Sequence, residues 1–285
     1  MTHVLLSIGH GYSARELTRQ LGADWRVIGT TRSAERAAAL RAEGVEPLIW
    51  PGDDIAPALA RATHLLSSVP PGPDGDPVVA ALGGLLHKAH HLKWVGYLST
   101  TGVYGDHQGG WVDEDTPLTP TTQRGRARVL AEADWASLGL PLHVFRLAGI
   151  YGPGRSPLDR MRDGTAQRII KPGQMFSRIH VADIAQVLAA SMAAPDPGMV
   201  YNVADDEPAP PQDIIAFAAR MLGLPLPPEV AFDDASLGPM AASFYSESKR
   251  VRNDRIKTLL GVHLRHPDYR AGLAALVEGD RAARG

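Results

Sequence analysis

Cysteine is absent from this chain of 285 residues. That absence excludes disulfide frameworks, thiol catalysis, iron–sulfur clusters and cysteine-based zinc sites. An excess of positive charge is missing too: 29 lysines and arginines stand against 31 aspartates and glutamates, a formal net charge of -2. No bulk positive field is therefore available to hold a nucleic acid or an anionic membrane. No apolar run approaches a membrane span, and no basic segment with a cleavable apolar core precedes the first expected strand at His3. Internal repeats and long charge runs are lacking as well. The expectation is a soluble, cytoplasmic protein whose partner is a small molecule, folded as one large α/β unit or two unequal lobes.

What is present alternates. Val4 to Ile8 is a short apolar run ending in Gly9, and Ser13 to Leu21 carries Ala14, Leu17 and Leu21 at helical spacing. Further short runs at 25–29, 45–50, 64–69, 94–99 and 143–147 are separated by helical stretches such as 34–41, 78–87 and 124–138. Strands separated by long helical crossovers imply a doubly wound parallel sheet buried on both faces. Past Leu147 the chain turns rich in Gly, Pro and Arg, and its periodicity breaks into short pieces, which reads as a second, smaller lobe.

Gly9-His10-Gly11-Tyr12-Ser13-Ala14 follows the first strand and opens the first helix. In that context Gly9 permits the tight turn, Gly11 lets a pyrophosphate approach the backbone, and Ala14 allows close helix–sheet packing. The amides at the helix start, with Tyr12 and Ser13, then face the phosphates. Where an NAD-selective site would end its second strand in a carboxylate, this chain has Thr30-Thr31-Arg32. Arg32 offers charge-assisted hydrogen bonds to a 2′-phosphate and the two hydroxyls add more, so the turn is expected to hold NADP. A solvated Arg32 paired with Glu35 is the plain alternative.

Three later motifs carry a resemblance: Ser99-Thr100-Thr101-Gly102-Val103-Tyr104-Gly105, Arg146-Leu147-Ala148-Gly149-Ile150-Tyr151-Gly152-Pro153-Gly154, and Ile179-His180-Val181-Ala182-Asp183. With Val200-Tyr201-Asn202-Val203 and Leu259-Leu260-Gly261, they make nearly the whole chain resemble the extended short-chain dehydrogenase/reductase family, which includes the NAD-dependent epimerases and dehydratases of nucleotide sugars. The resemblance implies a Rossmann-type cofactor domain over 1–148, to which 178–204 returns, and a small α/β substrate lobe over 149–285. Ser68-Val69-Pro70 resembles the loop over which the family lays the pyrophosphate and nicotinamide ribose.

The family's Tyr-x-x-x-Lys pair is missing. The aligned helix reads Pro120-Thr121-Thr122-Gln123-Arg124-Gly125-Arg126-Ala127-Arg128, with Arg124 for the tyrosine and Arg128 for the lysine. Tyr245-Ser246-Glu247-Ser248-Lys249 matches the pattern literally but lies in the second lobe, so it is set aside as a decoy. Thr100 takes the place of the family's catalytic Ser/Thr, and Arg128 keeps a charge that can hold the ribose but not relay a proton. Tyr104 is the candidate replacement donor, with Tyr151 and His180 behind it. His87, His90 and His91 lack a nearby carboxylate, so no metal site is expected. These residues support either an oxidoreductase or epimerase/dehydratase-like enzyme on a small molecule, or a non-catalytic NADP(H) sensor. A homodimer through the helix bearing Leu130, Trp135 and Leu138 is a further expectation.

Overall fold

The structure is a computed structural model and describes residues 3–282. In chain order its first half reads β1 (His3–Ile8), α1 (Tyr12–Gln20), β2 (Trp25–Thr31), α2 (Ala34–Ala42), β3 (Glu46–Ile49), α3 (Ala56–Arg61), β4 (His64–Ser67), α4 (Pro77–Leu86), β5 (Trp94–Thr100), a 3-10 turn at Thr101–Tyr104, β6 (Trp111–Val112), α5 (Gln123–Ala136) and β7 (Leu142–Leu147). The second half reads β8 (Gly149–Tyr151), α6 (Pro157–Arg162), β9 (Arg168–Ile170), β10 (Arg178–His180), α7 (Val181–Ala193), β11 (Val200–Val203), α8 (Pro211–Leu222), β12 (Glu229–Ala231), α9 (Pro239–Tyr245), β13 (Arg250–Val251), α10 (Asp254–Thr258) and α11 (Tyr269–Ala282).

Seven parallel strands form one sheet in the order β11-β7-β5-β4-β1-β2-β3. Side chains alternate across it with the period of two that a strand imposes. Leu5 and Leu66 enter a cluster shared with α1, α2 and α7, while Leu6 and Leu65 enter the opposite one, shared with α3, α4 and α5. Both faces are covered, so the strands read as continuous apolar runs. This is a doubly wound Rossmann-type sheet. The segment past residue 178 contributes α7, packed on α1, and the edge strand β11.

A third apolar cluster, with Leu158, Ile214, Ile215 and Leu273 at its centre, gathers α6, α8 and α11 into the smaller C-terminal lobe. Three two-stranded parallel ribbons tie this lobe down: β10 with β8, β12 with β9, and β13 with β6. The last matters most for the site, because it carries residues near 250 back onto the loop between β5 and α5.

The expected α5 dimer face needs correction. Trp135 and Leu138 are buried in this chain's own core, because Trp135 stacks on Tyr97 of β5 at 5.9 Å. Of the three apolar residues only Leu130 is exposed. No helix among the described residues is long and apolar enough to cross a membrane.

Candidate active site

Strand order reverses between β1 and β4, and the crevice at that point is where open α/β sheets bind ligands. Gly9 leaves β1 there with φ +77, and a Cβ on it would stand 2.9 Å from Cγ2 of Val69. Only glycine meets both demands. Val69 thus supports the turn, while Ser68 and Pro70 beside it line a large cavity with Gly9, Gly11, Tyr12 and Ser13. The Thr30 hydroxyl accepts the Gly9 amide at 2.8 Å, so this buried residue holds the turn from beneath.

Gly11 is the N-cap of α1 and supplies no side-chain cap, unlike Asp76, Thr122 and Ser156 at the starts of α4, α5 and α6. A Cβ on Gly11 would meet only the Gly9 carbonyl, at 3.6 Å. The first amides of α1 therefore face open cavity, and the donor set fits the pyrophosphate of a dinucleotide. Tyr12 straps this turn to the second lobe: its hydroxyl donates to the Pro153 carbonyl at 3.1 Å, and Arg155 lies over its ring at 5.9 Å. Burial pushes the Tyr12 phenol up to about 12, so it stays protonated.

At the tip of β2 Thr31 is half-buried and Arg32 exposed, both outside the cavity lining. Arg32 has no ion pair among the described residues; the Glu35 pairing is not formed.

Thr100 ends β5 in the cavity wall. Its Oγ1 accepts the Gly102 amide at 3.2 Å, capping the 3-10 turn and leaving the hydroxyl proton free for a ligand. α5 passes so close to this turn that a Cβ on Gly125 would stand 2.7 Å from the Gly102 carbonyl. That approach presents Arg124 and Arg128 to the cavity. Arg128 Nη1 is held by the Tyr97 hydroxyl and the Leu98 carbonyl, each at 2.8 Å. Arg124 lies over the exposed ring of Phe244 at 5.2 Å.

Tyr104 is not where a replacement donor must be. It is fully buried and absent from the cavity lining; its hydroxyl donates to Asn202 Oδ1 at 2.7 Å and accepts from Arg146 at 3.0 Å. Its role is structural. It belongs to a buried network in which Arg146 pairs with Glu132 at 2.8 Å and Glu132 accepts the Ser99 hydroxyl, binding α5 to β5, β7 and β11. His180 also lies off the cavity, its ring between Tyr151 at 5.1 Å and His266 at 3.9 Å. Tyr151 touches the cavity wall, but its hydroxyl donates to the Asp268 carbonyl.

The segment set aside as a decoy does reach the cavity. Tyr245, Glu247 and Lys249 all line it. Lys249 Nζ donates to the Gly105 carbonyl at 2.6 Å and to Glu247 at 2.8 Å, and Glu247 accepts the Thr121 hydroxyl at 2.8 Å. The β13–β6 pairing produces this arrangement; the literal Tyr245-x-x-x-Lys249 spacing marks the segment in the sequence without showing that it reaches the cavity.

Among the described residues, His180, Asp183 and His266 bring their ligating atoms within 4.8 Å of one another. Asp183 accepts from the Arg265 and His266 amides and meets His266 Nδ1, and His180 Nδ1 accepts the Ala182 amide, while His180 Nε2 has no partner among the described residues. The group caps α7. His87 and His90 are exposed, and a His91 ring nitrogen meets the Leu59 carbonyl.

No family model matches the chain. Protein YeeZ of Escherichia coli K12 is 31% identical over 280 residues, covering 92% of this chain and 95% of that protein. The chain belongs to one family with YeeZ. A functionally unknown conserved protein from Silicibacter pomeroyi DSS has a solved structure 63% identical to it, with a TM-score of 0.94 over 98% of this chain and 99% of that one. UDP-glucuronic acid 4-epimerase from Bacillus cereus, solved with NAD, shares the fold at 17% identity and a TM-score of 0.77, over 99% of this chain and 100% of that one. The Rossmann-type sheet with its C-terminal lobe is thus a fold shared with that epimerase.

Proposed function

We propose that this protein binds NADP(H) along the β1–α1 turn and transfers hydride between it and a small molecule held against the C-terminal lobe. It would form an atypical branch of its family, lacking the Tyr-x-x-x-Lys pair. One observation carries the reading: a single cavity of about 1090 Å³ runs from the uncapped start of α1 past Thr100 into the C-terminal lobe. A purely sensing role would leave that far end without an occupant. The choice of NADP rests on the exposed, unpaired Arg32 at a strand end that offers no carboxylate.

When bound, the dinucleotide supplies or accepts hydride at its nicotinamide ring. The chain's own side chains do the rest. Gly11, Ser13 and Ser68 seat the phosphates, and Arg128, fixed by Tyr97 and Leu98, adds positive charge at the middle of the cavity. Thr100 donates a hydrogen bond from its hydroxyl to the substrate's carbonyl oxygen. Guanidinium groups are poor proton relays near neutral pH, so Arg124 and Arg128 are given positioning roles. Lys249 adds a further cation in the wall, held by Glu247 and the Gly105 carbonyl.

Fluorescence titrations with NADPH and NADH, on wild type and Arg32→Ala, test the cofactor assignment. NADPH should bind more tightly by roughly 10- to 100-fold, the worth of a charge-assisted pair, with the difference shrinking in the variant. Equal affinities in wild type overturn the NADP assignment. NADPH consumption against a panel of aldehydes and ketones then tests for chemistry: binding without turnover on any of them would favour the sensing role.

A further inference from the structure

The cavity does not end at Thr100. One strand over, beyond the carboxyl end of β7, β8 and β10 pair with Gly149 opposite Arg178, and the Arg178 side chain lines the cavity's far wall. Its Nη1 donates to the carbonyls of Phe176 at 3.0 Å and Ala209 at 3.1 Å, which fixes the guanidinium and leaves its other donors unused. The group stacks 5.8 Å from the Phe176 ring, and Tyr245 meets that same ring edge-on at 5.4 Å. Arg160, from α6, faces the same space. Neither arginine has an ion pair among the described residues. Burial lowers the Arg178 pKa only to about 10, so it remains charged at neutral pH.

Among the described residues the buried Asp205 carboxyl attracts Arg178 through space, but no direct ion pair joins the two. Asp205 is 1% exposed and both its oxygens lack a hydrogen-bond partner. Its burial raises its pKa well above the usual carboxylate range. A fixed, unpaired guanidinium in a cavity wall is costly unless a ligand supplies the counter-charge. The cavity's lining joins apolar Ile169, Met175, Ile214, Ile215 and Leu273 to polar Thr165, Gln167 and Ser177.

We propose that this end of the cavity binds a small organic anion with an apolar or aromatic body, its carboxylate or phosphate held by Arg178 and Arg160 beside the Tyr245 hydroxyl. The planar guanidinium fork suits either anion. The assignment deepens the hydride-transfer reading by naming its substrate class, and rests on it.

Calorimetry with 3-phenylpropanoate, phenyl phosphate, 3-phenylpropan-1-ol and UDP-glucose tests the proposal, run with and without NADPH. At least one aryl anion should bind about tenfold or more tightly than the neutral alcohol. Whichever of the two binds better identifies the anion. Arg178→Gln should erase that preference and Arg178→Lys restore part of it. Arg160→Gln, on an exposed helix position, should weaken anion binding without touching the fold. Tighter binding of UDP-glucose than of either aryl anion overturns the proposal, as does binding indifferent to charge or no saturable anion binding at all. NADPH affinity, read separately by fluorescence, should be unchanged in both arginine variants. If the dinucleotide fails to bind while the anion binds, the cofactor reading fails and the anion site stands; the converse sinks the anion site alone.

Discussion

Gly9 and Gly11 sit two residues apart and answer to different demands. Gly9 is required by the fold, through its positive φ and the 2.9 Å approach to Val69. Gly11 is not, since its backbone is extended and the space above it open. Gly11→Val should therefore abolish NADPH binding while leaving thermal stability nearly unchanged. Gly9→Ala should destabilise by roughly 1–3 kcal/mol through backbone strain. Melting curves beside fluorescence titrations separate the two, and a Gly11→Val protein that binds NADPH normally would place the phosphates elsewhere. At this scale the turn was legible, because its chemistry lies in six consecutive residues. Tyr104 was misjudged for the opposite reason: its motif borders the cavity, but the 3-10 turn directs its ring inward to Asn202 and Arg146, partners 98 and 42 residues away.

α5 carries two of the arginines that line the cavity. Thr122 caps it, Gly125 lets it lie against the turn after Thr100, and Glu132 anchors it to Arg146. Its two cavity-facing arginines stand four residues apart on one face, the spacing a proton donor and its lysine would need. Rebuilding the pair as Arg124→Tyr plus Arg128→Lys should raise NADPH-dependent carbonyl reduction by about 10²–10⁴-fold, the usual worth of general acid catalysis. Thr100→Ala should then remove most of the gain. A wild type that already turns over rapidly, and that loses activity in Lys249→Met, would show that the proton path has moved to the β13 segment. No helical pattern could reveal that segment, because the β13–β6 ribbon joining it to the site is two residues wide.

Across the whole molecule, the rim of the sheet opposite the cavity carries a ladder of rings. His3 stacks on Trp25 at 4.7 Å, Trp25 meets His64 at 4.7 Å, and Trp94 bridges His64 and His143. Burial holds the His64 imidazole down to about 4, as it does His10 and His180 elsewhere. Between an unfolded value near 6.5 and the folded value, the unfolded chain binds protons that the native state refuses. Stability is therefore full above pH 6.5 and lost as pH falls toward 4, by at most about 3 kcal/mol per ring. Asp205, with its raised pKa, acts in the opposite sense at the same pH values. Urea midpoints at pH 7 and 4.5 should fall for wild type and fall less for His64→Phe, in which the Asp205 contribution is unchanged. Equal slopes in the two proteins would show that His64 does not resist protonation.

The sequence alone determined the alternation of strands and helices, the glycine turn after β1, and the arginines at positions 124 and 128, because each is written in local spacing or in the identity of single residues. Tertiary structure decided the rest. It turned Tyr104 and His180 into structural groups and buried Trp135 against Tyr97. It brought Lys249 to Gly105 and fixed Arg178 in the far wall of the cavity. These outcomes follow from long-range pairing, in which two-residue and three-residue parallel ribbons join segments more than a hundred residues apart or fold the second lobe over the sheet. Contacts of that kind depend on how whole layers pack, and a linear pattern carries no record of them.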